Sequence, residues 1–289
     1  MKQRKGIILA GGSGSRLYPI TLALSKQLLP LYDKPMIYYP ISVLMLADIR
    51  EIAIITTPHD QDQFQRLLGD GSQWGLSFSY IVQEAPNGLA EAYILADTFL
   101  AGHPSALILG DNIFHGDGLP KLLTSVDSNV EGGTVFGYQV SDPERYGVLG
   151  FDAAGRANSL VEKPANPVSN YAVTGLYFLD NRASERAKTI APSARGEIEI
   201  TSLLELYLEE GSLTVKKLSR GYAWLDTGTH ASLLDAGNFV RTLQDRQGLL
   251  VGSPDEIAYD KSWISSAQLK KVIEAFGKNS YGAYFAAKL

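Results

Sequence analysis

The chain has 289 residues, 45% of them hydrophobic and 20% charged, with no cysteine. That is a globular composition with room for one large or two modest domains, and it excludes a disulfide framework or a thiolate metal site. The formal net charge of −5 gives no general attraction for nucleic acid or an anionic membrane, so phosphate ligands must meet cations gathered locally.

The N-terminus is basic (Lys2, Arg4, Lys5), but the apolar run behind it is far too short for a signal peptide. With no transmembrane stretch either, a cytoplasmic protein is expected. That run, Ile7 to Ala10, is continuous rather than alternating and predicts a buried strand. It ends at Gly11-Gly12-Ser13-Gly14-Ser15-Arg16. Glycines let the backbone turn sharply and bring N–H groups to an anion, and Arg16 adds a charged fork suited to phosphate oxygens. The alternative is a Gly-rich strand-to-loop turn that holds nothing. Neither familiar phosphate loop fits. The Gly-Lys-Ser/Thr ending of a P-loop is missing, and Leu17 stands where the dinucleotide fingerprint needs its third glycine. Pro19 and the segment Thr21 to Lys26 predict a longer loop before any helix.

Residues 52–55 and 106–109 read as two more buried strands, and Phe78, Tyr80 and Val82 as another. Phe64, Leu67 and Leu68 fit one helix face between them, and Leu89, Ala92, Tyr93 and Ala96 a second. Such alternation implies right-handed crossovers and a parallel sheet whose ligands bind beyond the strands' carboxyl ends. Gly11-Gly12 and Asp111 both lie at such ends and are expected to share one crevice. From about residue 133 the pattern becomes strand-like with turns between, at 134–138, 148–151, 159–161 and 171–178. This predicts an inserted antiparallel portion forming the far wall. Ile200, Leu203, Leu204, Tyr207 and Leu208 give a clear amphipathic helix, and Leu233, Leu234, Gly237 and Val240 a weaker one. After Gly248 one more helix is expected, with Leu269, Val272, Ile273 and Phe276 on one face, followed by an aromatic tail, Tyr281 to Phe285.

Several residues can carry chemistry. Asp111 follows a strand and Gly110, and Asp226 follows Tyr222-Ala223-Trp224-Leu225. Two carboxylates without Cys or His neighbours suit a hard cation such as Mg²⁺; either could equally form a turn or cap a helix. The four histidines, His59, His103, His115 and His230, show no metal-ligand spacing. Glu162-Lys163-Pro164 ends a strand-like run, because proline stops the ladder, and reads as a crevice pair or a surface ion pair. Arg195-Gly196-Glu197 is a phosphate contact or a helix start. Tyr146-Gly147 and Val173 are expected on strands, in pocket or core roles. Gln83 and Gly88 could meet a base edge, or be a solvent-facing amide and a helix-start glycine.

Taken in order, Gly11-Gly12-Ser13-Gly14-Ser15-Arg16-Leu17, Pro19, Thr21, Ser25-Lys26-Gln27-Leu28-Leu29-Pro30, Gln83-Glu84 with Gly88-Leu89-Ala90-Glu91-Ala92, Leu109-Gly110-Asp111-Asn112, Glu162-Lys163-Pro164 and Trp224-Leu225-Asp226-Thr227-Gly228-Thr229 resemble the signature of the sugar-nucleotidyltransferases over nearly the whole chain. The resemblance implies an α/β fold: a Rossmann-like, mostly parallel sheet flanked by helices, with a nucleotide part at about 1–132 and a sugar-phosphate part at about 133–228. The transferase domain would occupy 1–248, and 249–289 a C-terminal helical extension serving subunit contact or feedback in a homotetramer. It implies catalysis by Arg16, Lys26 and Lys163, and Mg²⁺ on Asp111 and Asp226. Substrate would be bound by Gly11, Gly12, Ser13, Gly14, Gln27, Gln83, Gly88, Asp111, Asn112, Tyr146, Gly147, Glu162, Val173 and Arg195. The implied reaction joins dTTP to glucose 1-phosphate, giving dTDP-glucose and pyrophosphate at the head of a dTDP-sugar pathway of the rhamnose type. UTP or another sugar 1-phosphate is the alternative. A non-catalytic regulator would be expected to lack Arg16, Lys26 or an aspartate, and all are present.

Overall fold

The computed structural model describes residues 3–126, 131–277 and 279–289, so Lys2 of the basic N-terminus lies outside the described residues. The first apolar run forms the strand Lys5–Ala10 in the middle of a nine-stranded sheet. It pairs in parallel with Glu51–Thr56 on one side (Ile7 opposite Ala53) and with Ser105–Leu109 on the other (Ile7 opposite Leu107). Ser77–Val82 extends the parallel set beyond Glu51–Thr56. Successive side chains of a strand face opposite ways, and here both ways lead into protein. Ile8 and Ala10 enter a core with Ile41, Leu44 and Phe64, whereas Ile7 and Leu9 enter one with Tyr93, Leu203 and Tyr207. That two-sided burial is why the run reads as continuously apolar.

The antiparallel strands continue the same sheet and do not form a separate one. Tyr171–Leu179 pairs with Ser105–Leu109 (Tyr177 opposite Leu107) and along its length with Gly133–Gln139. Gly147–Phe151 and Ala157–Glu162 lie on that side too, and Leu213–Lys217 pairs in parallel with Gly133–Gln139. The register of Tyr171–Leu179 against Gly133–Gln139 shifts between Val173 and Tyr177. Within that interruption the Gly175 N–H turns to Asn112 Oδ1 at 3.2 Å. A small separate ribbon pairs Asn112–Gly116 with Tyr222–Asp226, setting Asp226 opposite Asn112.

Three helical expectations need correction. Of the expected face only Ala92 and Tyr93 lie in a helix, Glu91–Leu95; Leu89 precedes it, and at Ala96 (ψ 2°) the backbone leaves helical geometry before the short helix Asp97–Leu100. In the helix His230–Gln247 the buried stripe runs through Ala236 and Val240 with Leu233, and Leu234, one position off it, is 65% exposed. Beyond Gly248 the described residues form three helices, Pro254–Asp260, Ser266–Phe276 and Ser280–Lys288, so the aromatic tail is itself helical. Each begins at a side-chain cap, from Ser253, Ser265 and Asn279, a signal that apolar spacing alone does not carry. Leu269 is buried, but Phe276 is not. Buried Asp255 accepts from Trp74 Nε1 at 3.0 Å and from the Tyr281 hydroxyl at 2.9 Å, tying these helices to the sheet's flank.

Candidate active site

Beyond Ala10 the chain turns through Gly12 (φ 96°) and Gly14 (φ 59°), left-handed conformations that favour glycine. Only a 3₁₀ turn, Ser15–Leu17, follows, and a second one at Lys26–Leu28. An anion at this turn therefore meets loop amides and side-chain cations, with no α-helix N-terminus behind them. Thr21 Oγ1 braces the loop by donating to the Gly14 carbonyl at 2.8 Å. Gly11 is glycine for another reason: a Cβ there would lie 2.8 Å from Gln83 Oε1.

The turn opens into one cleft of about 860 Å³, and every site residue nominated from the sequence lines it. Asp111 and Asp226, far apart in sequence, meet where the ribbon leaves the sheet. The Thr227 amide and hydroxyl donate to the Asp111 carbonyl at 3.3 and 2.9 Å. Lys26 forms an ion pair with Asp111, and Asn112 Nδ2 donates to Asp111 Oδ1 at 3.0 Å. Burial pushes the Asp111 carboxyl up, but Lys26 and the Asn112 amide outweigh it and hold the group below the usual carboxylate range. Asn112 Oδ1 accepts from Trp224 Nε1 at 2.6 Å and from Gly175 N–H. Both ends of its amide are thus occupied by protein, and its position is that of a brace for Asp111.

Asp226 accepts from the Tyr146 hydroxyl at 3.2 Å and faces Arg145 Nη2 at 3.5 Å. Tyr146 was expected on a strand. It instead follows the 3₁₀ turn Pro143–Arg145 and precedes Gly147–Phe151, because Pro143 starts a turn there. Burial and the nearby Asp226 push its phenol up, so it remains a donor. Arg16 forms no ion pair or hydrogen bond with any described residue. It stands beside Asp226: a Cβ on residue 228 would lie 3.4 Å from Asp226 Oδ2 and 3.7 Å from Arg16 Cζ.

The two aspartates offer hard oxygen donors, and among the described residues no group of three or more His, Cys, Asp or Glu could hold a metal. A cation there would complete its coordination with water and phosphate oxygens, as Mg²⁺ does. The donor set fits.

On the opposite wall Glu162 ends the strand Ala157–Glu162, and Lys163 adopts φ 42° ahead of Pro164. Such backbone at a non-glycine residue costs about 1–3 kcal/mol. The Lys163 N–H is held by the Tyr146 carbonyl at 2.9 Å, and its Nζ lies 3.2 Å from Glu162 Oε1. Arg195 Nη2 donates to Glu199 at 2.8 Å and also reaches Glu162 at 3.4 Å and Glu197 at 3.5 Å. Its bond to Glu199, first, and the surrounding carboxylates hold the guanidinium above its ordinary value. Gly147 abuts Thr201, whose Cγ2 would lie 2.9 Å from a Cβ there, and Val173 lies nearby on Tyr171–Leu179. Arg145, Glu199, Thr201, Tyr177 and Trp224 line the cleft too. None was nominated from the sequence, although Asp142-Pro143-Glu144-Arg145 is a legible turn beside Tyr146.

Residues 5–242 match the nucleotidyl transferase family, and the chain belongs to it. It is 60% identical over 287 residues, 99% of this chain and 97% of the relative, to a glucose-1-phosphate thymidylyltransferase of Xanthomonas campestris pv. campestris (strain B100). It is 55% identical over 280 residues, 97% of both chains, to one of Mycobacterium tuberculosis (strain ATCC 25618 / H37Rv). Among solved structures it resembles a Bacillus anthracis protein assigned as a glucose-1-phosphate thymidylyltransferase and crystallised with sucrose (TM-score 0.76, 42% identity, 82% of this chain and 95% of that one). It also resembles a UDP-glucose pyrophosphorylase complexed with UDP-glucose (TM-score 0.72, 25% identity, 83% and 99% covered).

Proposed function

We propose that this chain is a glucose-1-phosphate thymidylyltransferase, moving the thymidylyl group of dTTP onto glucose 1-phosphate. The carrying observation is that Arg16, Lys26, Lys163 and Arg195, from separate segments, line one cleft together with the aspartates Asp111 and Asp226. An oxygen of the sugar phosphate bonds to the α-phosphorus of dTTP as the bond to the β-phosphate's bridging oxygen breaks. The products are dTDP-glucose and pyrophosphate. A phosphate monoester has a second pKa near 6, so the nucleophile is already largely deprotonated at pH 7. No side chain has to remove a proton. What remains is charge neutralisation and alignment.

Lys163 and Arg195 hold the attacking phosphate, and Glu162 accepts sugar hydroxyls, with Gly147 and Val173 lining the ring's place. Lys26 and the glycine turn hold the nucleotide phosphates, and Arg16 neutralises the charge that grows on departing pyrophosphate. Gln83, Gly88 and Gln27 meet the nucleoside. Asp111 and Asp226 would hold Mg²⁺, which when bound withdraws charge from phosphate oxygens. Tyr146 and Asn112 keep those carboxylates in place. The same reading takes residues 1–248 as the transferase domain and 249–289 as an extension for subunit contact or feedback in a cytoplasmic homotetramer. It is supported by exposed Leu249, Phe276 and Leu289 on that extension, and is testable by light-scattering mass. Among the described residues no helix is long and apolar enough to cross a membrane.

The deciding experiment is pyrophosphate release across a panel of nucleotides and sugar phosphates with Mg²⁺. Fastest release with dTTP and glucose 1-phosphate is expected. Preference for UTP or another sugar phosphate would redirect the assignment within the family, and no release with any pair would overturn it.

A further inference from the structure

Glu91 opens the short helix Glu91–Leu95, and its carboxylate meets the side chain of Gln83, which lines the cleft. Its Oε2 accepts from Gln83 Nε2 at 2.6 Å, and its Oε1 accepts from Asn87 Nδ2 at 2.8 Å. The Gly88 carbonyl takes a longer bond, 3.4 Å, from the same Gln83 nitrogen. A carboxylate and a backbone carbonyl only accept, so the end of the Gln83 amide that faces them must be its NH₂. The other end is fixed by exclusion. Oε1 points over Gly11, where a Cβ would approach it to 2.8 Å, and it takes no hydrogen bond from any described residue. The Gln83 backbone is itself pinned, its N–H donating to the Thr56 carbonyl at 2.8 Å.

We propose that Glu91 is a positioning residue for base selection: it locks Gln83 with its acceptor oxygen toward the nucleobase, so that the cleft takes a base offering a ring N–H. The imide of thymine or uracil meets that requirement. Cytosine does not, because its corresponding ring nitrogen carries a lone pair that would face another acceptor. A site built to receive a particular donor rejects a ligand lacking it far more strongly than an apolar pocket rejects a misfit. Without the Glu91 carboxylate only the longer bond to the Gly88 carbonyl holds that end of the amide, so its flipped orientation becomes accessible and the discrimination would relax. The proposal rests on the reading that Gln83 meets the base.

The test compares kcat/KM for dTTP and dCTP in wild type, Glu91→Ala and Glu91→Gln, with melting temperature as the check on folding. Glu91→Ala is expected to narrow the dTTP-to-dCTP ratio at least tenfold, through a raised KM for dTTP and with KM for glucose 1-phosphate unmoved. Glu91→Gln, whose amide can accept or donate, is expected to narrow it in the same direction by less. A ratio within twofold of wild type in folded Glu91→Ala overturns the proposal; should that variant unfold, Glu91→Gln decides by the same criterion. Equilibrium binding of dTDP against dCDP, measured by calorimetry, separates this proposal from the proposed reaction. A binding ratio that shifts in an enzyme unable to turn over keeps Glu91's role and removes the activity. An unshifted ratio removes Glu91's role whatever the activity.

Discussion

The two walls of the cleft, each proposed to hold a phosphate, differ in how their cations are paired at rest. On the glycine-turn wall Arg16 has no partner among the described residues, and Lys26 is paired with a single carboxylate, Asp111. On the opposite wall each cation already has company: Lys163 lies against Glu162, and Arg195 is within reach of three carboxylates. An arriving sugar phosphate must therefore compete with resident carboxylates, whereas Arg16 can answer new charge without giving anything up. That difference suits their proposed roles. A cation free at rest can respond to charge that appears only in the transition state. Cations held by neighbours are pre-positioned and act mainly on ground-state binding.

The contrast can be broken at three points. The largest effect is expected where the walls meet, at Asp226→Asn, which removes one charge from the carboxylate pair but keeps its shape and its bond from Tyr146. Turnover should fall by about 10³ or more, at the upper end for losing one electrostatic contact, with the melting temperature near wild type. Rates close to wild type in saturating Mg²⁺ would end the metal role. Next comes Arg16→Ala, expected to lower kcat by about 10² while leaving KM for glucose 1-phosphate nearly unchanged. If only KM moved, Arg16 would belong with ground-state binding and the two walls would not differ. Arg195→Ala should give the reverse pattern, a KM for glucose 1-phosphate about tenfold higher, the equivalent of 1.4 kcal/mol, with a smaller change in kcat. A kcat collapse there would mean the sugar wall also works in the transition state.

The same two walls differ in how well they can be read from sequence. The glycine turn is contiguous, and its residues announce themselves: positive φ at Gly12 and Gly14 requires glycine, and Arg16 follows directly. The parallel core was legible because burial on both faces leaves continuous apolar runs. The opposite wall is assembled from the ends of three separate strands and a loop, so Glu162 reaches Arg195 only through folding, although Glu197 and Glu199 are near it in sequence. Its partner Glu199 looks in sequence like any residue ahead of an amphipathic helix. Tyr146 and Asp226 were each nominated, but their contact was not: the reach to Asp226 depends on a 3₁₀ turn that strand-like neighbours concealed. Gly11 was legible as a glycine and misleading as to cause, since the space it leaves belongs to Gln83.

The smallest effect tests the resting pair on the glycine-turn wall itself. The Asp111 carboxyl is held below its ordinary value, burial being outweighed by Lys26 and Asn112. A carboxyl lowered on folding stabilises the protein at pH above its unfolded value, near 4, and that stabilisation is lost as pH falls through the folded value. Asp111→Asn cannot titrate, so it lacks this acid-linked component. Melting curves between pH 7 and 3 should therefore fall more steeply for wild type than for Asp111→Asn, with the two converging by a few degrees toward the acid end. Parallel curves would mean that Lys26 gives Asp111 no net stabilisation in the folded protein. The lysine would then be as free as Arg16, and the resting ion pair could not be what distinguishes the two cations of that wall.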